Sequence, residues 1–244
     1  MTVTVLAPAK LTVSFKLLGV RPDGYHLVEG ELVSLDHADV LTIDPDGDGL
    51  VVTGPAAAGV PADGSNLVAK ALALAGRTAG VTVDKRIRPE GGLGGGSSDA
   101  AAVLRWAGCT DPAVAARLGA DVAFCLVGGR ARVRGVGEIV EPLPFVERTY
   151  TLVSPPFGVS TVAAYRAWDA LGGPVVEGPN DLEPAAFAVE ARLLGWRDRI
   201  REASGSTPVL AGSGSTFFVP GAHPELVAAL PEATVVVTRT IPAP

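Results

Sequence analysis

The chain has 244 residues, 48% hydrophobic and 19% charged, long enough for one large domain or two modest ones around a buried core. Its 30 glycines and 20 prolines are scattered through apolar periodic segments, which excludes the disordered class. With 26 acidic against 20 basic residues and a net charge of -6, a broad nucleic-acid footprint is disfavoured, while a local anion site built from backbone amides stays open.

The first fifty residues read as strands, with β-branched and alternating apolar residues over Val3 to Leu6, Leu11 to Leu18 and Val28 to Leu35. Arg21-Pro-Asp-Gly24 is a turn between two of these runs, and Pro45-Asp-Gly-Asp-Gly49 is expected as a hairpin connection. Ser65 is placed to cap a helix over Asn66 to Leu74, and Val81 to Ile87 is strand-like again. Gly91 to Ser97 is a glycine-rich loop, after which Ser98 and Asp99 open an alanine-rich helix running to about Trp106. A short helix over Asp111 to Leu118 follows, with Pro112 in its first turn. Val122 to Val127 fits helix or strand, and Arg130 to Arg134 alternates as a strand. From Tyr150 the pattern restarts with strand Thr151 to Val153, helix Thr161 to Leu171 and helical segments between Leu182 and Arg201. Strands Val209 to Ala211 and Phe217 to Val219, helix Pro224 to Leu230 and strand Thr234 to Thr238 complete the chain. Pro142-Leu-Pro144 is the best boundary, dividing an α+β domain over residues 1–147 from a smaller α+β domain over 148–244.

Cys109 and Cys125 are too few for a disulfide scaffold or a cysteine-based zinc site, and both read as small buried hydrophobes. His26, His37 and His223 have no metal-ligand spacing. The N-terminus has no basic segment followed by an apolar one, so no signal peptide is expected. No apolar run approaches the roughly eighteen residues of a membrane helix. A soluble, cytoplasmic protein is expected, without a membrane or nucleic-acid partner, monomeric or weakly homodimeric.

Four segments carry chemistry. In the first, five of the six positions from Gly91 to Gly96 are glycine, Ser97 and Ser98 follow, and a helix begins there. Such a backbone approaches an anion closely, and the helix aims its first amides at the same place. A Walker loop needs a Lys-Ser or Lys-Thr pair after its last glycine, and the dinucleotide and protein-kinase loops need another glycine spacing, so those three readings fail. The second segment is Ala7-Pro-Ala-Lys10 at the head of an apolar strand, in a chain with only four lysines. Alone, Lys10 reads as a surface lysine. In the third, Leu118-Gly-Ala-Asp-Val122, Asp121 enters an apolar run and reads equally as a helix cap. The fourth, Ala211-Gly-Ser-Gly-Ser-Thr216, is a second glycine-rich turn between strands.

In this order the proline-lysine strand start, the GLGGGSSDA loop and the later glycine-serine loop resemble the three motifs of the GHMP kinase superfamily. Arg21-Pro-Asp-Gly-Tyr-His26, Gly119-Ala-Asp121, Gly135-Val-Gly-Glu138 and Asn180-Asp-Leu-Glu183 narrow the resemblance to the branch whose substrate carries cytidine diphosphate. The resemblance implies a two-domain α+β fold, its N-terminal half ribosomal-protein-S5-domain-2-like and its C-terminal half a ferredoxin-like α/β sandwich. It implies transfer of the ATP γ-phosphate to the 2-hydroxyl of a methylerythritol unit, in the non-mevalonate route to isoprenoid precursors. Asp121 would accept the hydroxyl proton, with Lys10 beside it stabilising charge on the reacting oxygens. Gly91, Gly92, Leu93, Gly94, Gly95, Gly96, Ser97 and Ser98 would cradle the triphosphate, Ser98 also touching Mg2+. Thr12, Tyr25, His26, Tyr165, Gly212 and Ser213, with Asp121, would bind the substrate, Tyr25 stacking on the cytosine and His26 reading its edge. Read alone, Tyr165 is a core aromatic and His26 a polar loop residue.

Against the family pattern, Thr12 stands where Asn is usual, Ala123 replaces a proline, and the segment from Ala101 to Leu118 is short. Glu90, a negative charge just before the loop, has no evident purpose in the sequence. A homoserine or mevalonate type of kinase shares Lys10, the loop and Asp121 but not the Tyr25-His26 pair. A catalytically inactive nucleotide-binding paralogue is the alternative from another class.

Overall fold

The computed structural model describes residues 1–244. Strands β1 (Val3–Val20) and β2 (His26–Asp44) form one long antiparallel hairpin. The separate short strands expected over β1 merge across Pro8. β1 pairs with β2 on one side only, and a proline on an edge strand forfeits little of the ladder. The pairing shifts register between Pro8 and Lys10 and again between Thr12 and Ser14, so two irregularities bracket Lys10 to Thr12.

β3 (Leu50–Thr53), α1 (Leu67–Leu74), β4 (Gly80–Asp84), α2 (Gly95–Trp106), α3 (Pro112–Ala116), α4 (Ala120–Val127), β5 (Arg130–Gly135) and β6 (Ile139–Pro142) complete a six-stranded sheet and its helical layer. The sheet order is β3-β4-β2-β5-β6, with β1 on the other edge of β2. The loop at Pro45 to Gly49 is therefore no hairpin: β4 lies between β2 and β3, and β3 pairs with it in parallel. Asn66, not Ser65, caps α1, its side chain accepting from the Val68 amide at 2.8 Å. Leu41, Ile43, Val81 and Val83 pack under Val103, Leu104 and Phe124 to form the first core.

β7 (Thr149–Ser154), α5 (Thr161–Ala170), α6 (Glu183–Val189), α7 (Arg192–Ser204), β8 (Val209–Leu210), β9 (Phe217–Pro220), α8 (Glu225–Ala229) and β10 (Thr234–Arg239) build a second, antiparallel sheet ordered β10-β7-β9-β8. With helices between its first and second and its third and fourth strands, this is the ferredoxin-like arrangement. The sheet changes between β6 and β7. A third apolar cluster joins the halves, with Leu11 and Leu35 of the first meeting Tyr150, Leu152 and Phe218 of the second. No helix is long and apolar enough to cross a membrane. Cys125 is buried, its thiol pushed up to about 12 by that burial, whereas Cys109, expected inside, is only half-buried.

The outer edge of β1 is not left bare. Phe15 N–H donates to the Pro179 carbonyl at 2.7 Å, and Asp181 N–H donates to the Phe15 carbonyl at 2.9 Å. Buried Asp181 accepts from the Leu17 amide at 3.0 Å and the Lys16 ammonium at 2.9 Å. Its neighbour Asn180 donates to the Leu210 and Gly212 carbonyls at 2.8 and 2.7 Å. The Asn180-Asp181 pair thus staples the first hairpin to the second glycine loop. Asn180→Ala strands two buried carbonyls and is expected to cost about 2–4 kcal/mol of unfolding free energy in urea titration. A change within about 0.5 kcal/mol would show that other donors replace the amide.

Candidate active site

A cleft of about 760 Å³ runs between the two halves, within the range of small-molecule sites. On its first wall, Lys10 is 6% exposed, and its ammonium lies 3.2 Å from an Asp121 carboxylate oxygen and donates to the Thr12 hydroxyl at 3.2 Å. Lys10 and Thr12 lie two apart on the strand and so share a face. Asp121 is not the cap of α4 but lies in its first turn after Gly119, which settles Val122 to Val127 as helix. Its side chain is 44% exposed, turned to the cleft. The Gly135-Val-Gly-Glu138 motif buttresses this turn. The Glu138 carboxylate accepts from the Val136 amide at 2.6 Å, and a Cβ on Gly137 would lie 2.5 Å from that of Ala120.

The glycine loop enters beside Lys10. Lys10 N–H donates to the Leu93 carbonyl at 3.0 Å, and the Leu93 side chain is buried in the cluster joining the halves. α2 begins at Gly95, not at Ser98, with Gly94 in the left-handed region at φ 66° as its N-cap. A Cβ on Gly94 would lie 2.7 Å from the Lys10 stem, so lysine and loop share one van der Waals surface. Gly92 has φ 77°, and a Cβ there would lie 2.4 Å from the Ala211 carbonyl oxygen of the second glycine loop. Gly92, Gly94 and Ser97 line the cleft, and an adjoining cavity of about 260 Å³ is walled by Gly91 to Ser97 with Leu67 and Arg88 to Glu90.

Ser98 departs from expectation. It is 1% exposed and its hydroxyl donates to the Pro8 carbonyl at 2.6 Å, so it pins α2 to β1 and does not face the cleft as a metal ligand. Ser97 is the hydroxyl on the cavity side. No group of three or more His, Cys, Asp or Glu side chains gathers into a metal site. Beside Lys10 the cleft offers the Asp121 carboxylate and, on the glycine loop, the Ser97 hydroxyl, while its second carboxylate, Asp169, is paired with His26. That donor set fits Mg2+, which binds through few protein oxygens, keeps waters and is held largely by phosphates.

At the far end, the Arg21 to Gly24 turn delivers Tyr25 and His26 to the start of β2, with Arg21 N–H donating to the Tyr25 carbonyl at 2.7 Å. Tyr25 is 63% exposed at the mouth. His26 packs on Tyr165 with ring centroids 4.7 Å apart and meets the edge of Trp168 at 5.6 Å. Burial, aided by the Asp121 charge, pushes the Tyr165 phenol above its ordinary range, which keeps the ring neutral in the cleft wall. Gly212 and Ser213 also line the cleft, the Ser213 hydroxyl 2.8 Å from that of Thr161. Arg166, absent from the sequence-derived set, lines it as an added cation. Glu90 takes a left-handed φ of 55° and packs against Gly158 of the second half, at the edge of the smaller cavity.

Beneath the loop lies a group that sequence reasoning missed. Lys85 is buried and pairs with both Asp39 and Asp99, the latter at 2.7 Å. Asp39 also accepts from the Arg86 and Ile87 amides at 2.5 and 2.8 Å, fixing the chain as it approaches the loop. A Cβ on Gly95 would lie 3.0 Å from the Lys85 ammonium, which places that charge under the first turn of α2. One Asp99 oxygen is buried without a partner.

Two sheets, paired glycine loops and a lysine–aspartate couple across one cleft define a small-molecule kinase of the GHMP fold. No family model matches the chain. It is 41% identical over 231 residues to the 4-diphosphocytidyl-2-C-methyl-D-erythritol kinase of Paracoccus denitrificans, covering 87% of this chain and 84% of that one. It matches a crystal structure of 4-(cytidine 5'-diphospho)-2C-methyl-D-erythritol kinase with a TM-score of 0.78 and 32% identity, over 98% of this chain and 99% of the other. A homoserine kinase structure from Cytophaga hutchinsonii shares the fold alone, with a TM-score of 0.64 and 18% identity over 99% and 95% of the two chains. The chain belongs to the 4-diphosphocytidyl-2-C-methyl-D-erythritol kinase family.

Burial raises Asp99 from an ordinary 3.8 to about 7, with Asp39 adding to the rise and Lys85 opposing it. The folded chain therefore holds a proton that the unfolded chain has lost between those values, and this site's contribution to stability falls as pH climbs from about 4 to about 7. Asp99→Asn is expected to flatten that part of the pH profile in thermal unfolding. A profile that keeps its slope would assign the dependence to other groups.

Proposed function

We propose that this chain transfers the γ-phosphate of ATP to the 2-hydroxyl of 4-diphosphocytidyl-2-C-methyl-D-erythritol, a step toward isoprenoid precursors by the non-mevalonate route. Residues 1–147 would form the domain carrying the nucleotide loop, and residues 148–244 the domain that closes the cleft. The reading is carried by the 3.2 Å pair of Lys10 and Asp121 on the wall shared by the glycine loop and the aromatic end.

Asp121 would accept the substrate hydroxyl proton, since it is the cleft carboxylate beside Lys10 and its half-exposed side chain leaves lone pairs free to receive one. Lys10 would hold Asp121 in place through their ion pair, then stabilise charge on the attacking and transferring oxygens. Because Lys10 is buried and braced by Thr12, Gly94 and the Leu93 carbonyl, its charge is positioned before substrate arrives. The first-turn amides of α2 and the loop backbone would bind the triphosphate, which needs no large positive surface. Ser97 would contribute a protein oxygen to Mg2+, which when bound neutralises phosphate charge. Thr12 takes the place of an amide with one hydroxyl, already engaged by Lys10, so it would serve to brace the lysine.

Tyr25, Tyr165 and His26 would hold the cytosine, and Arg166 would lie near the diphosphate. The eight residue steps of β2 from His26 to Ser34, which opposes Lys10, span up to about 26 Å. Such separation suits a substrate whose base and reacting hydroxyl lie at opposite ends. It argues against compact alcohols such as homoserine or mevalonate, which would leave the aromatic end empty.

ADP release with ATP and Mg2+ is expected with the cytidine compound and not with homoserine or mevalonate. Turnover restricted to either of those would overturn the substrate. Asp121→Asn is expected to lower kcat by about 10²–10⁴ while ATP affinity holds within about threefold. Lys10→Ala should lower kcat by about 10²–10³. A variant of either residue that kept most of its kcat would remove that residue from the reaction.

A further inference from the structure

The aromatic end contains a hydrogen bond that decides what the pocket can read. His26 Nε2 lies 2.8 Å from Asp169 Oδ1, joining the start of β2 to the end of α5. An ionised carboxylate only accepts, so Nε2 carries the proton, and in a neutral imidazole the other nitrogen is then an acceptor. Nδ1 has no hydrogen-bond partner within the protein. The ring packs against Tyr165 and Trp168, and the Trp168 indole donates to the Pro174 carbonyl at 2.9 Å. His26, Tyr165 and Asp169 all line the cleft.

We propose that Asp169 is a positioning residue that fixes His26 as the Nε2–H tautomer, so that the cleft presents an acceptor and selects a 4-amino pyrimidine over its 4-oxo counterpart. Cytosine offers an amino donor where uracil offers a carbonyl acceptor. A fixed lone pair on Nδ1 is satisfied by the first and opposed by the second, which is how a polar site rejects a close analogue. The inference rests on the reading of this end of the cleft as the cytidine diphosphate site. Asp169 touches neither substrate nor reacting groups in that reading; it acts through the imidazole.

Two measurements test it on the full chain. Long-range ¹H–¹⁵N correlation at about pH 8 reads the tautomer of each histidine ring, and His37→Gln and His223→Gln leave the His26 signals to be assigned. His26 is expected as Nε2–H with Nδ1 bare; a ring protonated on Nδ1, alone or with Nε2, would overturn the proposal. Steady-state kinetics then compare the cytidine compound with its uridine analogue. The unaltered chain is expected to prefer cytidine by at least about tenfold in kcat/KM. In Asp169→Ala that ratio should fall several-fold, mainly through KM for the cytidine compound, with kcat nearly unchanged, and Asp169→Glu should restore part of it. Asp169 is half exposed, so its loss leaves no buried cavity. An Asp169→Ala chain with undiminished selectivity sinks this inference alone, whereas an unaltered chain that does not turn over the cytidine compound sinks the functional reading beneath it.

Discussion

The unpaired edge of β1 is the constraint on which the arrangement of the cleft depends. A strand bonded on one side leaves backbone donors and acceptors that must find partners once buried. Here they find them in two places: the Lys10 amide takes the Leu93 carbonyl of the glycine loop, and Phe15 takes Pro179 and Asp181 from the second half. The same edge therefore places the glycine loop beside Lys10 and brings the second sheet over the hairpin. The register irregularities on either side of Lys10 to Thr12 mark where the strand turns its side chains into the space so enclosed.

Charge is used sparingly in that space. Buried Lys10 and half-exposed Asp121 form the couple on one wall, Arg166 adds a cation on the other, and Lys85 lies out of reach of solvent beneath α2. The buried Asp39–Lys85–Asp99 group is costly to desolvate, and such groups give definition more than net stability. Its contacts reach the amides of Arg86 and Ile87 and the first turn of α2, so what it defines is the path into the loop.

Much of this was legible in the sequence because the signals were local. The glycine run, Asp121 after Gly119 and the Asp-Gly-Tyr-His turn each declare a backbone conformation or an aromatic at a fixed place. The order of strands and helices in the second half also followed from periodicity. What escaped was set by distant partners. Ser98 looked like a ligand because a hydroxyl after a glycine loop usually is one; only the approach of Pro8, 90 residues earlier, turns it inward. Lys85 and Asp39 sit in strand-like runs as if solvated, and the single hint was their intrusion into apolar sequence. β6 went unread, since four residues with little alternation acquire a strand only by pairing with β5. The hairpin expected at Pro45 to Gly49 failed because turn chemistry fixes a loop's shape and not the neighbour its next strand will choose.

The contact of Gly92 with the Ala211 carbonyl joins two loops that arise more than a hundred residues apart, backbone against backbone. Loops usually drift independently in length and composition, since water fills whatever they vacate. These two have no such margin: an insertion in either displaces the other, and with it the cleft wall that both line. The pair is thus mechanically one piece, in which the shape of either loop is set by the other.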